Sequence, residues 1–292
     1  MIKHFEETLY NNYAQRFSVD EIYYENKTEH QHLIIFHNAK FGRVMVLDGI
    51  IQTTERDEFI YHEMLCHVPI FAHGAVERVL IVGGGDGGML REVLRHSGVK
   101  KVTMVEIDET VIEISKKYLP NHAQGAFDDP RFQRVISDGA TFVRETHEKF
   151  DVVITDSTDP IGPGESLFSH DYYEGCKNCL TENGILVTQN GVAFFQAEEA
   201  KKTADLFRQL FKDWHFYSAA VPTYVGGIMV FGWGTDNPQL RKIPLETLEM
   251  RYHKSRITTQ YYNPSIHQAA FALPQSVLEN IGKTDTTHER AN

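Results

Sequence analysis

Cysteine is scarce in this sequence, with three residues in 292, at positions 66, 176 and 179. An odd and small number of cysteines does not support a disulfide framework, so we expect a protein of the cytoplasm, where thiols stay reduced. Cys176 and Cys179 have the C-x-x-C spacing, but no second pair and no thioredoxin-like pattern surrounds them. We therefore interpret these thiols as buried and chemically inert.

Long apolar runs, excess positive charge and metal-binding patterns are also lacking. No apolar stretch reaches the roughly 18 residues of a membrane span, and the polar start of the chain is unlike a signal peptide. The formal net charge is −11 at pH 7, so nucleic acid is a poor partner and small cations are mildly favoured. The 15 histidines show no H-E-x-x-H pattern. We expect no membrane, nucleic-acid or metal partner.

The hydrophobic pattern that is present divides the chain into two regions. Residues 1–55 contain short apolar or alternating runs separated by turn signals such as Asp48-Gly49, which predicts a small antiparallel β domain. From Arg78 onward, strand patterns alternate with helix patterns. This alternation predicts an α/β fold with a Rossmann-like, doubly wound and mostly parallel sheet. We expect residues 56–292 to form this second, catalytic domain.

The same pattern places individual elements. A helix is expected over residues 55–71, ending at Pro69 and the His73-Gly74 break, and no clear structure is expected over residues 156–169, which we interpret as a functional lid. In the first region, strands are expected at 18–24, 33–37, 43–47 and 50–54. In the second region, strands are expected at 79–82, 102–105, 134–136, 152–155, 185–189, 215–221 and 228–233, the last two as a hairpin. Helices are expected between them at 89–96, 109–118, 140–145 and 170–180.

The first strand of the second region runs into a glycine-rich segment, Gly83-Gly84-Gly85-Asp86-Gly87-Gly88. Glycines after such a strand allow a tight turn and a close approach of the backbone to a nucleotide. Asp86 distinguishes this loop, because a carboxylate repels an anionic ligand tail and attracts a cationic one. The loop therefore favours a nucleoside that carries an amine or a sulfonium over one that carries phosphate.

Further acids follow the next strands at their carboxyl ends, where open α/β sheets bind ligands. Glu106 lies about 20 residues past the glycine loop, the spacing of acids that bind ribose hydroxyls, although a solvated loop acid is the alternative. Asp138-Gly139 either holds a nucleobase or starts a helix. Asp156 and Asp159 are suited to a divalent cation or to an ammonium group. Because no further His or carboxylate spacing supports a metal site, we favour ammonium binding and proton acceptance.

Three further residues are open to two interpretations. Tyr224 lies in the loop of the predicted hairpin and either reaches the cleft or covers the core. Tyr61 and His62, at the start of the first helix, have the same two possible roles. Asp108 is expected to cap the next helix and to take no part in the chemistry.

Taken together, these motifs resemble the bacterial spermidine synthases, a family of polyamine aminopropyltransferases. The resemblance extends from about Thr8 to Pro274, nearly the whole chain. The matching stretches are His30-Gln31, Phe41-Gly42-Arg43-Val44, Leu47-Asp48-Gly49, Gln52-Thr53-Thr54-Glu55-Arg56-Asp57-Glu58-Phe59-Ile60-Tyr61-His62-Glu63-Met64, Gly83-Gly84-Gly85-Asp86-Gly87-Gly88, Val105-Glu106-Ile107-Asp108, Asp156-Ser157-Thr158-Asp159-Pro160-Ile161-Gly162-Pro163, Pro222-Thr223-Tyr224 and Tyr262-Asn263-Pro264.

The resemblance implies a reaction and an assembly. An aminopropyl group would pass from decarboxylated S-adenosylmethionine to putrescine, giving spermidine and methylthioadenosine. The donor is a co-substrate whose sulfonium already activates the transferred carbon, so no cofactor is expected. The family usually forms a homodimer or homotetramer, and the same is expected here.

The resemblance also implies a role for each site residue. Asp156 would accept the proton of the attacking amine. Asp86 would hold the ammonium of the donor's aminopropyl group, and so belongs to both the donor and the substrate site. The nucleoside would contact Gln31, Gln52, Glu106, Asp138, Gly139 and Pro163. The diamine would contact Tyr61, His62, Asp156, Asp159 and Tyr224.

Two alternative functions remain open at this point. A methyltransferase would use intact S-adenosylmethionine to methylate an amine, but the carboxylate of that donor would lie near Asp86. A non-catalytic polyamine- or nucleoside-binding protein is the second alternative, and the pair Asp156 and Asp159 argues against it. Within the transferase class, cadaverine and spermidine remain open as acceptors in place of putrescine. His62 leaves this choice open because it falls where the family varies between His and Gln.

Overall fold

The computed structural model describes residues 3–160 and 162–283, without the side chains of residues 162 and 163. The first region consists of six strands: β1 (Lys3–Tyr10), β2 (Tyr13–Val19), β3 (Glu21–Lys27), β4 (His32–Asn38), β5 (Gly42–Leu47) and β6 (Ile50–Thr54). β1 and β2 form a separate hairpin, and the other four form an antiparallel sheet in sequence order. The turn between β5 and β6 is Asp48-Gly49, with both residues at positive φ, as in a tight hairpin turn.

The prediction for this region was wrong at its start. The single strand expected at 18–24 is the end of β2 and the beginning of β3, separated at Asp20. β1 was not predicted, because Glu7 is its one buried residue and the other side chains are exposed or half-buried. A strand with so little apolar content gives no alternating signal to read.

The second region is a seven-stranded sheet of order β12-β13-β11-β10-β7-β8-β9. The five strands from β11 to β9 pair in parallel, and β13 pairs antiparallel with both β11 and β12. These relations confirm the predicted Rossmann-like sheet. The strands are β7 (Arg78–Gly83), β8 (Lys101–Glu106), β9 (Phe132–Ile136), β10 (Phe150–Asp156), β11 (Leu180–Val192), β12 (Asp213–Ala219) and β13 (Met229–Thr235).

Helices cover both faces of this sheet. Adjacent residues of β7 belong to opposite cores, with Val79 and Ile81 in one and Leu80 and Val82 in the other. A strand buried on both faces therefore reads as a continuous apolar run. The helices are α1 (Glu58–His73), α2 (Gly88–Leu94), α3 (Glu109–Tyr118), α4 (Pro120–Ala123), α5 (Gly139–Glu145), α6 (His170–Cys179), α7 (Ala197–Leu210), α8 (Leu245–Ser255), α9 (Pro264–Ala270) and α10 (Gln275–Asn280).

Two predicted elements needed correction. α1 begins at Glu58, three residues later than expected, and continues through Pro69 to His73; the predicted break at His73-Gly74 is confirmed, with Gly74 as the cap at a φ of 76°. Proline removes one backbone hydrogen bond, but residues 60–72 of this helix are all buried and their packing outweighs that loss. Part of the segment 156–169, expected to lack structure, is a 3₁₀ helix over Gly162–Phe168.

The interpretation of the cysteine pair as buried is confirmed. Cys176 and Cys179 lie in the core between α6 and the sheet. Burial raises the pKa of both thiols, that of Cys179 to about 11, so neither is a nucleophile near neutral pH. Within residues 3–160 and 162–283, no helix is long and apolar enough to cross a bilayer.

Candidate active site

A pocket lies over the carboxyl ends of the parallel strands. The residues predicted to form the site all line it, except Pro163, whose side chain lies outside the described part of the chain. These residues come from strand ends, from loops and from the starts of helices, except Gln52, which lies within β6. They are Gln31, Gln52, Tyr61, His62, Asp86, Glu106, Asp138, Gly139, Asp156, Asp159 and Tyr224.

The glycine-rich loop brings the acids of neighbouring strands close to its backbone. Gly83 has a φ of 86°, and a Cβ there would overlap the carbonyl oxygen of Asp156. A Cβ on Gly85 would lie 2.8 Å from Oε2 of Glu106. The carboxylate of Asp86 is oriented by the N–H of Gly88, which donates to its Oδ1 at 2.8 Å. Glycine is therefore required here for close packing as well as for conformation.

Glu106 forms one wall of the pocket at the end of β8. Its Oε1 accepts the N–H of Asp108 at 3.1 Å, and burial raises the pKa of its carboxyl to about 7. Asp108 caps α3 by accepting the N–H of Thr110 at 2.9 Å, as predicted. Asp108 also accepts from Gln31 at 3.3 Å, and this contact fixes a residue of the first region beside Glu106.

The interpretation of Asp138 and Gly139 as a helix start is confirmed. The side chain of Asp138 accepts the N–H of Thr141 at 2.7 Å and so caps α5. Both residues also line the pocket. A Cβ on Gly139 would overlap Val82 of β7, so the start of this helix is held against the sheet.

Asp156 lies at the end of β10 and lines the pocket. Tyr61 donates to its Oδ1 at 2.7 Å. Burial raises the pKa of Asp156 to about 6, against the opposing charge of His62 and together with the like charge of Asp86. Burial also raises the pKa of Tyr61, so this hydroxyl stays a donor. A carboxylate with these properties can accept a proton near neutral pH.

Asp159 lies further along the pocket and contacts a residue that sequence reasoning missed. Gln196, just after β11, donates to Oδ1 of Asp159 at 2.6 Å and accepts from the hydroxyl of Tyr10 at 3.1 Å. Burial raises the pKa of Asp159. A polar residue just past a strand end is a signal that would have found Gln196, whereas Tyr10 belongs to the unpredicted β1. Across the pocket, the hydroxyl of Tyr224 donates to the carbonyl of Gln52 at 2.5 Å.

His62 lies between two carboxylates. Its Nδ1 is 2.5 Å from Oε2 of Glu58, and its Nε2 is 3.5 Å from Oδ2 of Asp86. Burial by itself lowers the pKa of His62, but the charges of Asp86 and Glu58 outweigh this and raise the pKa to about 9. His62 is therefore a cation in an otherwise acidic wall.

Glu58 and its partner Arg91 were also missed from sequence. Arg91 donates to both carboxylate oxygens of Glu58, at 3.0 and 2.9 Å. The i, i+4 spacing of Glu58 and His62 on one helix face was the available signal for the first contact. The contact with Arg91 joins α1 to α2, and local sequence carries no sign of it.

A second group of potential metal ligands lies outside the pocket. Cys66, His67 and His96 are buried, and their ligand atoms lie within 4.8 Å of one another. Nδ1 of His67 is already hydrogen-bonded to Nε2 of His96 at 2.9 Å, and its Nε2 faces Glu92 at 3.0 Å. These three side chains belong to the core beneath α1 and α2, away from Asp156.

Comparison with known families places this geometry among the synthases of polyamines. The model of the spermidine synthase tetramerisation domain matches residues 4–55, and that of the spermine/spermidine synthase domain matches residues 58–243. The chain is 64% identical over 281 residues to polyamine aminopropyltransferase 1 of Pseudomonas aeruginosa, covering 96% of this chain and 98% of that protein. It is 61% identical over 279 residues to the polyamine aminopropyltransferase of Pseudomonas syringae pv. tomato, with 96% and 98% covered.

Two solved structures of spermidine synthases are also similar to this chain. A spermidine synthase in complex with the transition-state analogue AdoDATO is 37% identical, with a TM-score of 0.91 over 97% of this chain and 96% of that one. The spermidine synthase of Thermotoga maritima is 35% identical, with a TM-score of 0.88 over 97% and 95%. The chain therefore belongs to the spermine/spermidine synthase family of polyamine aminopropyltransferases.

Proposed function

We propose that this aminopropyltransferase uses decarboxylated S-adenosylmethionine as donor and putrescine as acceptor, giving spermidine and methylthioadenosine. The observation that carries the proposal is that Asp86 and Asp156 line the same pocket. A Cβ on Gly84, beside Asp86, would lie 3.0 Å from Oδ2 of Asp156. One hollow thus offers two carboxylates to a donor ammonium and to an attacking amine.

The donor nucleoside is proposed to lie along the ends of β7, β8 and β9. Glu106 would accept hydrogen bonds from the ribose hydroxyls, and Asp138 with Gly139 would contact the base. Gln31 and Gln52 would close this side from the first region, and Pro163 would cover it from the segment after β10. The ammonium of the aminopropyl group would then reach Asp86, where intact S-adenosylmethionine would bring its carboxylate.

The acceptor diamine is proposed to lie between α1, the end of β10 and the loop that carries Tyr224. One nitrogen would lie near Asp156, and the distal ammonium near Asp159, with Tyr61, His62 and Tyr224 lining the space between them. Closing the pocket over these groups would exclude water and strengthen each charge contact.

The chemical step follows from this placement. The neutral amine attacks the propyl carbon attached to sulfur, the carbon–sulfur bond breaks, and its electron pair stays on sulfur in methylthioadenosine. Asp156 takes up the proton that the ammonium form of this amine must lose before it attacks, and the positive charge of the sulfonium passes to the product nitrogen. Orientation of the two reactants supplies roughly 7–11 kcal/mol of barrier reduction in the best cases. General-base assistance is typically worth about 100- to 10,000-fold in rate.

The test is incubation of the protein with either decarboxylated or intact S-adenosylmethionine and a panel of putrescine, cadaverine and spermidine, with the products identified by mass. We expect spermidine and methylthioadenosine from the decarboxylated donor and putrescine. A methylated amine from the intact donor would support the methyltransferase alternative instead. Absence of any turnover with all six pairs would contradict both enzymatic functions.

We also propose the assembly, the location and the requirements of the enzyme. A match to a tetramerisation domain over residues 4–55 supports an oligomer, a homodimer or a homotetramer, which light scattering measures. The acidic composition and reduced thiols support action in the cytoplasm. Dialysis against a chelator is expected to leave the rate unchanged, because the sulfonium donor needs no metal or cofactor. Residues 1–55 and 56–292 are proposed as the two domains.

A further inference from the structure

We propose that Glu58 and Arg91 are positioning residues, which hold His62 as a fixed cation against Asp86 and so set the charge of the amine-binding pocket. This inference rests on the proposed function, because Asp86 is the group proposed to receive the donor's ammonium. Glu58 and Arg91 do not line this pocket themselves and would act through His62.

The geometry around His62 favours the imidazolium form. A neutral imidazole carries one N–H and can donate to one carboxylate, whereas the imidazolium carries two. Here both nitrogens face carboxylates, Nδ1 at 2.5 Å from Glu58 and Nε2 at 3.5 Å from Asp86. The side chain of His62 is 3% exposed, so both ring nitrogens are largely removed from bulk solvent.

Arg91 fixes Glu58 in the orientation that His62 requires. Its two terminal nitrogens bind the two oxygens of Glu58, and one of them also donates to the carbonyls of Asn121 and His122 at 3.3 and 2.7 Å. Its Nε donates to Glu92 at 2.8 Å. A bidentate pair supported from α4 and from its own helix leaves the Glu58 carboxylate little freedom to rotate.

The other charged groups that face His62 define the consequence. Asp156, at the end of β10, adds a third carboxylate near the imidazolium. His122, on α4, lies with its ring centroid 6.4 Å away, and burial lowers its pKa, so it stays neutral. The cation of His62 lowers the pKa of Asp156 and shares the carboxylate of Asp86. Without Glu58, His62 would lose its proton at a lower pH and Asp156 would hold its proton to a higher pH.

The direct test is a ¹⁵N NMR titration of histidine-labelled enzyme, with the His62 signals assigned by their loss in His62→Gln. In the unmodified enzyme, both ring nitrogens of His62 should carry protons at pH 7. In Glu58→Gln, the titration midpoint should fall by about 1–3 pH units, the usual effect of losing a contacting opposite charge. Glu113→Gln, at an exposed acid of α3, is the matched control and should leave the midpoint unchanged.

A kinetic double-mutant cycle separates positioning from a structural role. Glu58→Gln should move the acidic limb of the kcat/KM profile to higher pH, because Asp156 keeps its proton longer, and the alkaline limb to lower pH, because His62 loses its proton earlier. Glu58→Gln should have no further effect on kcat/KM when it is added to His62→Gln. Additive effects of the two substitutions would overturn the proposal. So would a neutral His62 at pH 7 in the unmodified enzyme, a result that does not depend on Glu58→Gln. The NMR titration needs no turnover, so it tests the charge of His62 even if the proposed reaction is not observed. The proposed function and the positioning role can therefore be contradicted independently.

Discussion

At the scale of single residues, Asp156 carries the largest share of the proposed chemistry. Asp156→Asn keeps the hydrogen bond from Tyr61 but removes the proton acceptor, so turnover should be abolished. Binding of decarboxylated S-adenosylmethionine should stay within a few-fold, because the nucleoside is proposed to contact other strands. Rate assays and titration calorimetry measure the two effects. Full activity in this variant would remove Asp156 from the role of base.

Asp86 is expected to choose between the two possible donors. Asp86→Ile removes the carboxylate that repels the amino-acid end of intact S-adenosylmethionine, so this nucleoside should bind better and the decarboxylated one worse. Calorimetry with both nucleosides gives the preference. Asp205→Asn, at an exposed acid of α7, is the matched control. An unchanged preference in Asp86→Ile would reject the selective role.

The raised pKa of Asp156 predicts an acidic limb in the pH profile. The base is present above a pKa of about 6 and is lost as pH falls through that value, so kcat/KM should decline below pH 6. Glu106→Gln removes a second pocket acid, whose pKa burial raises to about 7, and the limb should remain in this variant. If the acidic limb is absent in Glu106→Gln, the limb reports titration of Glu106 in donor binding and not titration of Asp156.

What sequence could predict at this scale depended on chain position. Asp86, Glu106 and Asp156 were found because each follows a strand, and the carboxyl ends of parallel strands share one edge. The charge of His62 could not be predicted, because it depends on Asp86 and on Glu58 held by Arg91. Nothing local in the sequence indicates that those groups meet.

At the scale of elements, the glycine loop offers a test of packing against conformation. Gly83→Ala places a Cβ on a residue whose φ is already positive, and this Cβ overlaps the carbonyl oxygen of Asp156. Together the two effects should lower the free energy of unfolding by about 2–5 kcal/mol. Gly49→Ala has nearly the same φ, 82°, but no atom within 4 Å, so it should cost about 1–2 kcal/mol. Urea denaturation measures both. Equal costs would show that the overlap is relieved without strain.

An apolar period made many strands and several helices predictable, but not every helix. β7, β8 and α3 were placed within a residue or so of their observed ends. α7 was missed although its buried residues have helical spacing, whereas α8 and α10 have one buried residue each and α9 has only seven residues. Pro69 misled the prediction for α1, because burial of that helix is a property of the whole fold.

At the scale of the whole molecule, charge should govern how the substrates arrive. The chain has a formal net charge of −11, and both proposed substrates are cations. Added sodium chloride should lower kcat/KM for putrescine severalfold while changing kcat little, because salt screens attraction before binding. Sucrose at equal osmolality is the control. Rates independent of salt would show that the field of the protein plays no part.

The fold class was predictable from the alternation of strands and helices, whereas the joint between the two regions was not. Asp57 accepts hydrogen bonds from Thr54 at 2.6 Å and from the N–H of Thr223 at 2.8 Å, and so ties the end of β6 to the loop of Tyr224. Asp57 and Thr223 are 166 residues apart in the chain. Contacts over such separations depend on the assembled tertiary structure and leave no periodic signal.

The pocket's side chains come from separate stretches of chain, and this has an evolutionary consequence. Groups proposed for the donor come from the ends of β7, β8 and β9 and from the first region, while those proposed for the amine come from α1, β10 and the β12–β13 loop. Drift in the second set can retune the enzyme toward longer or shorter amines while leaving nucleoside recognition intact. A lineage can thereby acquire new polyamine products one loop at a time.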